Sequence, residues 1–563
     1  MLNKLGSSGA EALAKELMKN GIQLVFGIPG VHNLALFEAL HRAGIRVVPA
    51  SHEQGAAFMA NGYGRATGKP GVFVTVPGPG LTNSLTPIAE AFVDSTPMLG
   101  IVTDVPQSKH TFQMHEIEQT LLSQPVVKSV KVIERAAHIP AALREMLTLT
   151  TQGQPGPCLL QIPGDLFWEK TGKVTAYTRQ KPTPIASAQM EQVIARLQSA
   201  KRVGLFVGLG AAEAAGEVRQ LADWMKAPVA TTGSGRGVMD EAHPLSLGFT
   251  WKTGPADSLN RIFEACDLIL AIGVKFSQNA THEYRLKIKC PLIHVDASAD
   301  VFDRNYKAEM SVQMDAGEFL RALLKEKSRL GPRQDGKILE LISAERETCD
   351  ADLRSDSYSE FFIGDDKFAP YDFFERLRAI LPSNAILVTD SGYNERVTMR
   401  HWLTHAPRTF ISPSNYACMG FAIPTAIGAA IAFPDRKIVA VVGDGGLVMS
   451  GLEMMTAVRE KLNLTIIVLN NKGFGAIKRI QEDVFGQSVA VDVGAPDFEL
   501  LAKSICMEYQ PVTSGMPALE GSIRNTMPTL LEVKMQHRGK DKAALRRRKL
   551  TNDLRQGLQK LIR

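Results

Sequence analysis

One stretch restricts this chain more than any other. It begins with the apolar run Ile438-Val439-Ala440-Val441-Val442 and continues through Gly443-Asp444-Gly445-Gly446-Leu447. A helix-patterned segment from Leu452 to Lys461 follows, then a second apolar run from Ile466 to Leu469 that ends in Asn470-Asn471. Short apolar runs bounded by glycine and asparagine read as buried strands, and the helix between them makes the unit a strand–helix–strand crossover. Strands joined in this way lie parallel, so their C-terminal ends share the sheet edge where ligands of open α/β sheets bind. Asp444 and Asn471 are thereby expected at one edge. A carboxylate and an amide oxygen suit Mg²⁺, which takes phosphate oxygens as its other ligands rather than an all-protein cage. Gly445 and Gly446 let backbone N–H groups come close to those phosphates. The stretch reads as a magnesium diphosphate site; an ordinary crossover with an Asp-Gly turn stays open on these residues alone.

The same strand-and-helix alternation fills the rest of the 563 residues, a length that calls for two to four domains. The fold class expected is α/β, with three doubly wound parallel-sheet domains. An N-terminal domain is assigned to 1–175, with strands at 24–26, 47–48, 72–76, 99–102 and 158–162. A central domain covers 185–330, with strands at 203–207, 268–272 and 292–295, and a charged linker covers 331–365. The domain carrying the opening stretch covers 366–536, and a basic tail 537–563 closes the chain. The tail holds ten Lys or Arg against two Asp, a net of +8 in a chain of net +6, so the remainder carries −2. Such a body gives no reason to expect nucleic acid. No apolar run is long enough to span a bilayer and no signal architecture opens the chain, so no membrane role is expected. The six cysteines are scattered without metal-site spacing, which fits reduced thiols in the cytoplasm.

Further motifs lie in the first domain. Phe26-Gly27-Ile28-Pro29-Gly30 follows one strand and Ser51-His52-Glu53-Gln54-Gly55-Ala56-Ala57 another, while Pro77-Gly78-Pro79-Gly80-Leu81-Thr82-Asn83 follows a third. Glu53 alone reads equally well as a helix N-terminal carboxylate stabilised by the macrodipole. Together with Gly420-Phe421-Ala422-Ile423-Pro424 and the GDG…NN pair, however, these segments resemble the acetolactate synthase-like family of thiamine-diphosphate (ThDP) enzymes over nearly the whole chain. The resemblance implies that Asp444, Asn471 and the Gly473 carbonyl bind Mg²⁺. It also implies that Glu53 hydrogen-bonds the cofactor's aminopyrimidine and promotes loss of the thiazolium proton. Pro29, Gly30, Pro77, Gly78, Asn83, Gly392, Tyr393, Asn394, Met419, Gly445, Gly446 and Ile477 are implied to surround ThDP, with Met419 propping its bent form. It further implies a homodimer or homotetramer, Glu53 reaching the cofactor held by a neighbouring subunit.

The family pattern is broken where substrates are chosen. Ile480 stands where branched-chain biosynthetic enzymes carry tryptophan, and Pro163-Gly164-Asp165-Leu166 lacks their lysine. His32 and Gln113 match a histidine and a glutamine of benzaldehyde lyase-like carboligases, and with His115 they are implied near the reacting carbon. A histidine there can move protons at a substrate oxygen. In the central domain, Gly208-Leu209-Gly210 and Gly235-Arg236-Gly237 are compatible with a nucleotide. The run 273–279 lacks the charges of flavin-binding synthases, so FAD is not expected. The substrate expected is a small 2-oxo acid, pyruvate by default, decarboxylated and ligated to an acceptor carbonyl. Alternatives are cleavage or formation of hydroxy-ketones, simple decarboxylation, 2-hydroxyacyl-CoA lyase-like chemistry, or a non-catalytic regulatory homologue. Leu550, Leu554 and Leu558 suggest a helix in the tail, read as a solvated or disordered extension, a lid over the active site, a clamp on an anionic substrate such as a CoA thioester, or a nonspecific polyanion contact.

Overall fold

The computed structural model describes residues 7–107, 110–171, 187–249, 257–333, 335–354, 360–363, 366–512 and 516–536. The basic tail and its expected helix lie outside these residues. Three sheets organise the chain. The first contains β1 (Leu24–Gly27), β2 (Arg46–Pro49), β3 (Gly71–Thr75), β4 (Met98–Asp104), β5 (Ser129–Val132) and β6 (Pro157–Pro163), in the order β2-β1-β3-β4-β6-β5. The second contains β7 (Val203–Val207), β8 (Val229–Thr231), β9 (Ser246–Phe249), β10 (Leu268–Ile272), β11 (Leu292–Asp296) and β12 (Met310–Gln313), in the order β12-β11-β10-β7-β8-β9. Every pairing in both is parallel.

The third sheet contains β13 (Glu360–Ile363), β14 (Asp366–Phe368), β15 (Ile386–Thr389), β16 (Phe410–Ile411), β17 (Ile438–Gly443), β18 (Leu464–Asn470), β19 (Glu508–Pro511) and β20 (Thr529–Gln536). Its order is β14-β13-β20-β18-β17-β15-β16, with β19 also beside β20. Six of these strands are parallel; the β13–β14 hairpin adds to β20 antiparallel, an edge that periodicity did not announce. Helices cover both faces of each sheet, which is why strands such as β17 and β18 are apolar almost throughout rather than alternating. The fold is therefore the expected three-layered α/β arrangement, repeated three times.

Strand order reverses between β1 and β3, between β7 and β10, and between β15 and β17. At each reversal the connections leave in opposite directions and open a crevice at the C-terminal edge. The first and third sheets also share one core, in which Phe26, Phe58 and Phe73 meet Phe421, Ile427 and Val442. At its centre helix Glu53–Thr67 crosses helix Ala422–Ala432 with backbones nearly touching. A Cβ on Gly62 would lie 2.0 Å from the Thr425 carbonyl oxygen, and one on Gly428 would lie 2.0 Å from that of Met59. Helix Gly336–Arg354 sends Ile338 and Ile342 into the separate core of the second sheet.

Candidate active site

The first cluster forms at the β15–β17 reversal. Asp444 begins helix Asp444–Ser450 at the end of β17 and is 2% exposed. Its Oδ1 accepts the Gly445 N–H at 2.9 Å and its Oδ2 accepts the Gly473 N–H at 3.0 Å, so the carboxylate spans the ends of β17 and β18. Burial raises its carboxyl above the ordinary range, while these backbone donors pull it back. Of the two asparagines at the end of β18, Asn470 turns into the sheet and donates to Glu532 Oε1 at 2.6 Å. Asn471 stands at the edge beside Gly473.

Small residues shape the floor of this cluster. A Cβ on Gly445 would come within 2.8 Å of the Phe474 ring and 3.4 Å of Met419 Cε, and one on Gly446 within 2.7 Å of Asp390 Oδ2. Met419 thus abuts the first helical turn after Asp444. Gly392 takes φ +125°, a conformation side chains disfavour. Asn394 uses its amide to clamp the turn, donating to Asp390 O at 2.7 Å and Thr389 Oγ1 at 3.3 Å. Asp390 is fully buried and accepts from the Ser391 and Gly420 N–H groups at 2.7 and 3.0 Å. Burial outweighs those bonds and pushes its carboxyl up to about 7. Tyr393 opens the helix after this turn, and Ile477 lies half exposed on helix Gly475–Phe485 with Ile480 one turn on.

The second cluster forms at the β1–β3 reversal of the first sheet. Gly30 packs on Val76, where a Cβ would lie 2.5 Å from Cγ1, and Gly78 (φ +61°) lies against the His115 backbone. Glu53 opens helix Glu53–Thr67, and the Asn83 amide donates to its Oε2 at 3.1 Å. His32 follows Pro29 and Gly30, and its ring meets that of His115 at 5.3 Å. The Nδ1 atoms of both rings are buried without a hydrogen-bond partner. Burial and the neighbouring His115 lower the His32 value, and Asp104 opposes them, which favours the neutral imidazole. Gln113 is more peripheral: its amide donates to the Pro106 carbonyl at 3.2 Å.

Three participants were not legible beforehand. Asn33, fully buried, accepts the Gly30 N–H at 2.7 Å; asparagine three residues after a loop glycine was the available signal. Gln119 accepts the Gly78 N–H at 3.1 Å and donates to Thr103 O at 3.2 Å, and nothing local marks it. Glu453 bonds residues some 400 positions away. The glycines of the second sheet serve packing: a Cβ on Gly208 would lie 2.0 Å from Gly273 O. Arg236, between the two other glycines singled out, is buried and bonds both Glu241 carboxylate oxygens at 2.7 and 2.8 Å. A cavity of about 260 Å³ remains at the β7–β10 reversal, lined among others by Asp94, Glu213, Lys275, Asp296 and Arg408.

Models of the thiamine pyrophosphate enzymes match along the chain in order: the N-terminal TPP binding domain over residues 7–125, the central domain over 190–323 and the C-terminal TPP binding domain over 390–533. The chain belongs to this family. The probable acetolactate synthase large subunit of Methanocaldococcus jannaschii is 30% identical over 550 residues, covering 93% of this chain and 91% of the relative. The acetolactate synthase isozyme 1 large subunit of Escherichia coli K12 is 30% identical over 545 residues, 94% of each chain. Acetolactate synthase 1, chloroplastic, of Nicotiana tabacum is 28% identical over 479 residues, 83% of this chain and 71% of the relative. The chain is a ThDP-dependent, acetolactate synthase-like enzyme. Among the described residues, no helix of this thiamine enzyme is long and apolar enough to cross a membrane. None of its His, Cys, Asp or Glu side chains there group in threes as an all-protein metal cage.

Proposed function

We propose that the enzyme works with ThDP and Mg²⁺ to decarboxylate a 2-oxo acid, pyruvate by default, and ligate the remaining acyl unit to an acceptor carbonyl. The observation that carries this reading is the buried Asp444 carboxylate, fixed by two backbone N–H groups beside a glycine floor that any Cβ would fill. One carboxylate, the Asn471 amide oxygen and the Gly473 carbonyl form a hard donor set that phosphate oxygens complete around Mg²⁺. Gly392, Tyr393, Asn394, Gly445 and Gly446 line the diphosphate region, and Met419 supports the ring. Bound there, ThDP supplies the electron sink for breaking or making a carbon–carbon bond next to a carbonyl.

The chain's own groups do the rest. Asn83 orients the Glu53 carboxylate toward the aminopyrimidine region bordered by Pro29, Gly30, Pro77 and Gly78. His32 accepts or returns a proton at a substrate oxygen with Gln113 assisting, and Ile477 forms an apolar wall. Glu53 serves the cofactor held by a second copy, which makes a homodimer or homotetramer the working unit in the cytoplasm.

Glu53→Gln should abolish turnover while ThDP binding persists; undiminished turnover would sink the assignment. CO₂ release from a panel of 2-oxo acids tests the reaction. The His32–His115 pair favours a second reading, cleavage of a 2-hydroxy ketone. No CO₂ from any 2-oxo acid, with such cleavage observed, would replace the first reading by the second.

A further inference from the structure

The turn that presents Glu53 is held from the other end of the chain. Glu453 is 3% exposed, and its Oε1 accepts the N–H groups of Ser51 at 2.9 Å and His52 at 3.0 Å. These are the two residues immediately before Glu53. The other oxygen, Oε2, accepts from Thr456 Oγ1 at 3.1 Å, which fixes the carboxylate's plane. Gly55 is the residue that makes room: a Cβ there would lie 2.2 Å from Glu453 Oε1. Two further ties run alongside, with Arg459 donating to the Pro49 carbonyl and Arg46 pairing with Glu460 at 2.6 Å. The short segment 453–460 therefore straps the end of β2 and the start of helix Glu53–Thr67.

A helix N-terminus can be satisfied without such help. His52 already does so locally, its Nδ1 accepting the Gln54 N–H at 3.1 Å. A buried carboxylate brought from a different sheet to the two preceding N–H groups is therefore more than a cap. Its effect is to fix the φ and ψ of the residues from which Glu53 projects, and so the place of the Glu53 carboxylate. We infer that Glu453 is a positioning residue for Glu53, holding its turn in register with the cofactor. The inference rests on the role given to Glu53 above. Charge-assisted bonds to backbone donors are strong, and displacement of a reacting group by about 1 Å can cost on the order of 100-fold.

The test uses full-length protein loaded with ThDP and Mg²⁺ and measures exchange of the cofactor C2 proton with deuterium by quenched NMR, which needs no substrate. Glu453→Ala should slow exchange by roughly 10- to 100-fold with ThDP affinity little changed, because the diphosphate is held elsewhere. Glu453→Gln keeps an acceptor at Oε1 and should restore most of the rate. Gly55→Ala, which displaces the carboxylate without removing it, should reproduce the slow exchange and decides the matter if the alanine variant does not fold. In cofactor-free protein, the amides of Ser51 and His52 should lose hydrogen-exchange protection in both slow variants. Normal C2 exchange in Gly55→Ala, or equal slowing in Glu453→Gln and Glu453→Ala, overturns the inference. Glu53→Gln separates the two readings: if it exchanges normally, the role of Glu53 falls and this inference with it. If it is slow while Glu453→Ala and Gly55→Ala are normal, only the positioning role falls.

Discussion

Arg65→Met probes the junction between the two halves of the site. The guanidinium is 8% exposed and lies between the first and third sheets. It donates to Asn61 Oδ1 at 2.7 Å, the Ser412 carbonyl at 2.9 Å, Glu90 Oε1 at 2.8 Å and Asp94 Oδ2 at 2.9 Å, and sits 5.1 Å from the Phe421 ring centroid. Both carboxylate side chains are fully buried. Methionine restores much of the volume but removes the buried guanidinium from Asp94 and Glu90, leaving charge uncompensated wherever they are ionised, which costs up to about 3–5 kcal/mol. At roughly 2–4 °C per kcal/mol for a unit of 150–250 residues, the affected melting transition should fall by up to about 6–20 °C.

The deficit should also depend on pH. Burial and the neighbouring Asp94 raise the Glu90 carboxyl from 4.5 to about 8 even with Arg65 present. Between those values the native state holds a proton that the unfolded chain has released, so wild-type stability falls as pH rises through this window and levels off above it. Without Arg65 the Glu90 carboxyl is harder still to ionise, so the variant goes on losing stability over a window reaching to higher pH. Thermal melts of both proteins at pH 5.5 and 8.5 should show the larger gap at the higher pH. A gap of equal size at both would mean that lost packing, not uncompensated charge, is the cause, and no gap would refute the role of Arg65.

Three further outcomes follow from the geometry. Gly62→Ala or Gly428→Ala forces two helix backbones apart and should cost about 1–3 kcal/mol or more, read from thermal melts; an undisturbed melt would deny the close crossing. Asp444→Ala should weaken Mg²⁺-dependent ThDP binding in calorimetry by at least roughly tenfold, the loss of one charged ligand; unchanged binding would move the metal elsewhere. His32→Ala should lower kcat/KM by about 100-fold with the cofactor-free melt unchanged, and full activity would remove His32 from the proton path.

Local chemistry explains why some of this was legible in the chain. The crossover from β17 to β18 announces itself because both strands are buried on two faces and stay apolar, and because Gly445 and Gly446 follow Asp444 immediately. Pro29, Gly30, Pro77 and Gly78 stand out for the same reason: backbone that must bend or approach closely uses glycine and proline, whatever surrounds it. Edge elements carry no such signal. β16 has two residues, and the β13–β14 hairpin is defined by its partner β20 rather than by its own pattern.

What the chain alone determined is therefore its repeated α/β order and the residue types at strand ends, since periodicity and turn chemistry act over a few residues. Tertiary structure decided which of those ends face each other. It turned Asn470 into the sheet and left Asn471 at the edge. It showed that Gly208 serves packing, and it brought His115 to His32. It also delivered Glu453 to Ser51 and His52 across some 400 residues, a contact set by how two sheets dock and by nothing near either residue in the sequence.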